Sequence, residues 1–326
     1  MRVFVTGASG WVGSAVVAEL IGAGHSVLGL ARSDANAGKI AAAGAEVHHG
    51  SLEDVDSLKR GAAAADGVIH CAFNHDFSKF AENGAIDKRA IEAMGETLAG
   101  SGRPLIATSG VGFVRPGEVV TEEMARTPDP HAPRVSEEAA LQFAPRGVRA
   151  MAIRLAPTVH GRGDHGFTPR LIAIAREKGS AAYAGEGLNR WPAVHRFDAA
   201  RLYRLALEKG ASGAQYHAVA EEGVPMKDIA AVIGKRLGVP VVSVAPERAA
   251  EHFGWFAMFA AMDMPASSAR TRQALGWSPK EPGLLADLDQ PHYFGELAGR
   301  ARRAAHARSR PRGPWTVTRG RSRLRS

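Results

Sequence analysis

A single cysteine, Cys71, occurs in the 326 residues, which excludes an intrachain disulfide framework and suits a reducing compartment. Tyrosine is nearly as scarce. All four, Tyr183, Tyr203, Tyr216 and Tyr293, fall in the second half, so a site built from the first half has no phenol of its own. Long apolar runs are missing too: Phe253 to Met262 is the longest and falls well short of the roughly 20 residues that a membrane span requires. Cysteine and histidine nowhere take metal-ligand spacing. His48, His49, His160 and His165 read as strand-end and loop residues, and no metal is expected. No charged-then-apolar leader precedes the first strand at Arg2, so the expected location is the cytoplasm.

Acidic residues are absent from one region. The whole chain carries 41 basic and 33 acidic residues, a net of +8, yet residues 300–326 hold ten of the arginines and no acid. Without them 31 basic residues face 33 acidic ones, a net of −2. The high isoelectric point therefore belongs to the tail, which Pro311 and Pro314 interrupt and which lacks apolar periodicity. It reads as disordered and solvated, with no part in the main activity. A slightly acidic body argues against nucleic acid as its partner.

What is present is glycine at particular points. Thr6-Gly7-Ala8-Ser9-Gly10-Trp11-Val12-Gly13 follows the apolar run Val3-Phe4-Val5 and opens a periodic stretch through Val12, Ala15, Val16 and Leu20. That order is strand, glycine turn, helix. Gly7 allows the tight turn, Gly10 lets a pyrophosphate approach the backbone, and Gly13 lets helix and strand pack closely. The free N–H groups around Trp11 and Val12 then face phosphate. The segment Gly7 to Gly13, Ser9 included, predicts a dinucleotide site.

The rest of the body alternates strand and helix. Strands are expected at 26–31, 45–48, 67–72, 104–108 and 148–155, with helices at 12–22, 35–43, 53–64, 76–100 and 135–144. Helices of that length between strands imply right-handed crossovers and an α/β, Rossmann-type doubly wound parallel sheet. After Thr158 the pattern loosens. Helices are expected near 169–178, 199–209 and 226–237 and strands near 215–219 and 240–245, as in a smaller C-terminal substrate lobe. The expected division is 1–160 for the cofactor domain, 161–299 for the lobe with segments returning to the sheet, and 300–326 for the tail. The aromatics Phe167, Tyr183, Trp191, Phe253, Trp255, Phe256 and Phe259 are lobe core or a partly hydrophobic substrate pocket.

Over roughly residues 1–292 the chain resembles the extended or atypical short-chain dehydrogenase/reductases of the NAD-dependent epimerase/dehydratase type. The likeness is carried, besides Thr6–Gly13, by Gly50-Ser51-Leu52, Gly67–Ala72, Ala107-Thr108-Ser109, Arg154–Gly161, Ala193–Asp198 and Leu275–Pro279, in that order. It implies that Ser51 and Leu52 lie against adenine, and that Cys71, Ala72 and Phe73 line the passage towards the nicotinamide. Thr108 joins them, while Pro157 and Val159 offer backbone groups to the carboxamide. Such families place an acid after the second strand for the ribose of NAD and a cation for the 2′-phosphate of NADP. Here Arg32 and Ser33 stand there, and Asp34 reads as a helix cap. NADP(H) is preferred, with NAD(H) open.

The resemblance also implies a tyrosine and, four residues on, a lysine as proton donor and its partner. Aligning Ser136 with the serine before that lysine sets Pro133 and Glu137 at the two positions, so the pair is absent. The candidates in its place are Ser109, which can orient a carbonyl, His131, which titrates near neutrality, and Glu137, as acceptor from ribose hydroxyls. Arg134 and Glu138 read as an i,i+4 surface ion pair, and His195 and Asp198 as structural. The expected activity is that of an NAD(P)-dependent oxidoreductase or epimerase-like enzyme, with NADPH-linked reduction of a small carbonyl compound preferred and a non-catalytic NADP(H)-binding regulator or scaffold as the alternative. Pairing of two copies through the helices near 76–100 and 135–144 is a further expectation from the family.

Overall fold

Strand β1 (Arg2–Thr6) divides the core. Alternate side chains of a strand leave opposite faces: Val3 and Val5 enter one apolar cluster, and Phe4 enters another on the far side. The computed structural model describes residues 1–115, 117–126 and 134–295. His131, Pro133 and the arginine-rich tail lie outside them.

From β1 the chain runs through α1 (Trp11–Gly22), β2 (Ser26–Ala31), α2 (Asp34–Ala42), β3 (Glu46–His49), α3 (Val55–Ala63) and β4 (Gly67–His70). Next come α4 (Phe80–Leu98), β5 (Pro104–Gly110), α5 (Ser136–Leu141), β6 (Arg149–Leu155) and β7 (Thr158–His160). There follow α6 (Phe167–Lys178), β8 (Ala181–Ala184), β9 (Arg190–His195), α7 (Arg196–Lys209), β10 (Gln215–Ala218) and β11 (Glu221–Pro225). Last are α8 (Met226–Leu237), β12 (Val241–Val244), α9 (Ala249–Phe253), α10 (Ala257–Ala261), α11 (Ala269–Leu275) and α12 (Leu284–Leu288).

Seven strands form one sheet in the order β10-β6-β5-β4-β1-β2-β3, every neighbouring pair parallel. The fold is the expected α/β, doubly wound one. Strand order reverses at β1, between β4 and β2, and ligands of such sheets bind in the crevice beyond the strand ends at that point. Helices α1 and α7 pack together on one face, and α3, α4 and α5 cover the other. Strands β11-β9-β7 make a small second sheet, and β12 pairs with β8. Phe167, Trp191, Phe256 and Phe259 interlock at centroid distances of 4.9–6.0 Å. They are the core of the lobe, not a pocket wall.

Three of the boundaries that differ from the expected ones have a local cause. Strand β4 ends at His70 because the N–H of Ala72 turns to Thr6 Oγ1 (3.4 Å) instead of a neighbouring strand. Helix α4 starts only at Phe80, after a short 3₁₀ turn at Phe77–Lys79 that Asp76 caps through the Ser78 N–H. Helix α5 stops at Leu141 because Pro145 has no N–H for that carbonyl.

Candidate active site

The turn after β1 is closed by Gly10 N–H donating to Gly7 O at 2.8 Å. Gly7 has φ +67°, and a Cβ there would lie 2.8 Å from the Ala72 nitrogen. A Cβ on Gly13 would meet Gly7 O at 2.1 Å, so helix and turn touch backbone to backbone. Helix α1 has no side-chain cap and no acid in its first turn. Its leading N–H groups and the positive end of its dipole are left for an anion. Ser9, Trp11 and Val12 are half-buried around this cradle.

Trp11 also ties the turn to the small second sheet through β7. Its indole Nε1 donates to Val159 O at 2.9 Å, Arg196 lies 4.3 Å over its ring, and His165 meets it edge-on at 5.7 Å. The Val159 carbonyl, expected to face a carboxamide, thus already accepts one hydrogen bond from within the chain. Pro157 stays half-buried beside it.

Beyond β2, Arg32 is exposed. Ser33, not Asp34, is the helix cap: its hydroxyl accepts from Asn36 N–H, and Asp34 becomes the first helical residue. Ser51 Oγ accepts from the N–H groups of Glu53 (3.3 Å) and Asp54 (3.2 Å), and Leu52 packs against the core.

At the ends of β4 and β5 a buried polar chain begins. Thr6 Oγ1 lies 2.8 Å from His70 Nδ1, and His70 Nε2 lies 3.0 Å from Asp87 Oδ1. Ser136 Oγ donates to Asp87 Oδ2 at 2.5 Å and accepts from Arg134 Nε at 2.7 Å. Burial pushes the Asp87 carboxyl up, but the hydrogen bond from His70 and the nearby Arg134 outweigh it and hold it below the usual carboxylate range. Arg134 Nη2 donates to Thr108 O at 2.8 Å, and its guanidinium lies 4.0 Å over the Phe73 ring. Ser109 follows, half-buried at the end of β5.

The sequence model of the NAD dependent epimerase/dehydratase family matches residues 3–220. The chain belongs to that family. The uncharacterized protein C2A9.02 of Schizosaccharomyces pombe is 53% identical over 295 residues, covering 90% of this chain and 100% of that protein. The 4-hydroxy-2-methyl-3-oxo-4-farnesyl-3,4-dihydroquinoline-1-oxide ketoreductase of Stigmatella aurantiaca is 26% identical over 278 residues, or 78% of this chain and 80% of the ketoreductase. Among solved structures, the dTDP-glucose 4,6-dehydratase DesIV of Streptomyces venezuelae, with NAD and TYD bound, superposes with a TM-score of 0.73 at 19% identity. That match covers 92% of this chain and 98% of DesIV, and it is a likeness of fold.

Two of the residues expected at the centre of this epimerase/dehydratase fold turn elsewhere. Glu137 receives Arg154 Nε (2.7 Å) and Nη2 (2.6 Å) together with Gln215 Nε2 (2.8 Å). With Arg154 fully buried, the carboxylate is closed off from any ribose, which corrects its expected role. Thr108 Oγ1 donates to His70 O at 2.6 Å and pairs with Tyr203 OH at 2.7 Å, so its side chain faces the core and not a cofactor. Burial pushes the Cys71 thiol up to about 12, and it stays protonated. Tyr203 is buried on α7, and Tyr216 OH accepts from Ala211 N–H. Tyr293 OH bridges Gly161 N, Asp164 and Asp287. His195 and Asp198 are structural as expected: His195 caps α7, and Asp198 accepts from the N–H groups of Lys280 and Glu281.

Arg134 is the residue the family pattern hides. Glu138 pairs with Arg126, not with Arg134, which frees Arg134 to turn in towards the sheet. Asp87 and His70, seventeen residues apart on α4 and β4, form no local motif. His75, in the loop after β4, has its pKa lowered by burial and by the charge of Arg134.

Proposed function

We propose that the chain is an NAD(P)-dependent oxidoreductase that reduces a small carbonyl compound with NADPH. The observation that carries this reading is the contact of Gly7 with the Ala72 backbone. It sets the phosphate turn against the chain leaving β4, and β4 pairs with β5, which carries Ser109 near its end. A dinucleotide fits the chain's own residues: the turn has glycine at 7, 10 and 13, and α1 has neither side-chain cap nor acid at its start. Gly7, Gly10, Trp11, Val12 and Gly13 would hold the pyrophosphate, and Ser51 and Leu52 the adenine. The exposed Arg32, with Asp34 drawn into the first turn of α2, favours a 2′-phosphate.

When bound, such a cofactor supplies a hydride for the carbonyl carbon and leaves the reaction oxidised. Ser109 donates a hydrogen bond to the substrate oxygen, and the proton that oxygen takes up comes from water. Alignment of the reactants supplies most of the rate without a dedicated acid.

Titrating NADPH and NADH against tryptophan fluorescence, followed by an NADPH-oxidation screen over aldehydes, ketones and quinones, tests the reading. Tight NADPH binding with turnover supports it. Tight binding with no turnover across the panel selects the second reading, a non-catalytic NADP(H)-binding regulator. The enclosure of Glu137 by Arg154 favours that alternative.

A further inference from the structure

We propose that Arg134 anchors a carboxylate of the substrate, so that the compound reduced is an oxo acid. This rests on the reductase reading above. A guanidinium has five N–H donors in one plane. Arg134 gives one from Nε to Ser136 Oγ and one from Nη2 to Thr108 O. The remaining three, both on Nη1 among them, have no partner among the described residues. The side chain as a whole is 22% exposed.

The surroundings fix the group without satisfying it. Phe73 covers its flat face at 4.0 Å, which leaves the in-plane edge as the way in. Asp87 Oδ2 stands 3.8 Å from Nε, but that carboxylate already takes Ser136 and His70. Arg126 donates to the Arg134 carbonyl. A planar fork with two parallel N–H bonds matches a carboxylate, and a lysine ammonium would not reproduce it. The Arg134–Thr108 bond sets that fork one residue from Ser109, so the anion and the reacting carbonyl belong to one molecule.

The test uses the full chain, with NADPH affinity measured first. The NADPH-loaded protein is then titrated calorimetrically with oxamate, a carboxylate beside a carbonyl that resists reduction. Acetoacetate and 2-oxobutyrate are compared with their methyl esters as substrates. The anchor predicts that oxamate binds and that the acids exceed the esters in kcat/KM by about ten- to hundredfold, the scale of a charged hydrogen-bond pair. Arg134→Gln should abolish oxamate binding and the preference through KM, at unchanged NADPH affinity, and Arg134→Lys should keep only part of both. Equal use of acids and esters, or oxamate binding that survives Arg134→Gln, overturns the anchor while the reductase reading stands. Loss of NADPH affinity in Arg134→Gln also overturns it, and makes Arg134 a cofactor contact. Oxamate binding that depends on Arg134, with no turnover of any carbonyl, keeps the anchor and removes the reductase.

Discussion

The indole Nε1 of Trp11 donates to the main-chain carbonyl of Val159 at 2.9 Å. One residue of the phosphate turn thereby holds β7, an edge strand of the small second sheet. Replacing Trp11 with Phe keeps an aromatic under Arg196 but removes the donor, leaving a partly buried carbonyl unpaired. The expected cost is about 1–2 kcal/mol in thermal or urea unfolding. Fluorescence offers a second check, since most of the NADPH-induced change should vanish if Trp11 reports on the bound dinucleotide. An unchanged signal in Trp11→Phe would place the reporter elsewhere.

Gly13→Ala is predicted to be disabling out of proportion to its size. The added carbon would sit 2.1 Å from Gly7 O and 2.7 Å from the Gly7 carbonyl carbon, and both are backbone atoms that cannot rotate away. Either α1 shifts off the turn or the turn opens. Overpacking of this kind costs roughly 1–3 kcal/mol, and the displaced N–H groups should lower dinucleotide affinity at least tenfold. Calorimetry with NADPH and a melting curve read the two effects separately. Gly22→Ala in the same helix, where a Cβ meets nothing within 4 Å, is the control and should be close to neutral.

Arg32→Ala should weaken NADPH by about tenfold or more and leave NADH nearly unchanged, because only the former carries the 2′-phosphate that a guanidinium can grip. Equal loss for both cofactors would sink the phosphate assignment.

The fold was legible because it rests on local signals repeated along the chain: apolar runs of strand length, alanine-rich helical stretches and a glycine turn at a fixed place. Some boundaries slipped where a side chain or proline took over a backbone hydrogen bond, as Thr6 does for Ala72. The glycine cradle could be read in the same way, since each glycine has a steric reason. The centre of the site could not. The spacing of Arg134 and Glu138 is that of a helix pair, yet Arg134 precedes α5 and has no helical phase to share with Glu138. Glu137 looks free in sequence because its partner Arg154 lies on β6 and Gln215 on β10. Pairings between distant elements leave no periodicity, so they appear only when the sheet is assembled.

The Glu137–Arg154 pair has a third member, and it makes stability depend on pH. Arg154 Nη1 lies 3.3 Å from His217 Nε2, while His217 Nδ1 lies 2.7 Å from Ser267 O. Burial, with the Arg154 charge adding to it, lowers the His217 pKa from 6.5 to about 4. The unfolded chain therefore binds a proton that the folded one refuses between those values. Stability is complete above the unfolded pKa and falls as the pH drops from about 6.5 to about 4, by up to roughly 3 kcal/mol. Asp87, held below the ordinary carboxylate range, adds a loss only at lower pH. His217→Asn, which keeps a donor for Ser267 O, should be less stable at pH 7 but show a flatter profile between pH 6.5 and 4 in urea titrations. Glu137→Gln removes the anion that compensates the buried Arg154, and should cost about 3–5 kcal/mol at pH 7. It should do so with NADPH affinity intact in whatever fraction folds. A Glu137→Gln protein of normal stability that had lost only turnover would instead return Glu137 to the reaction.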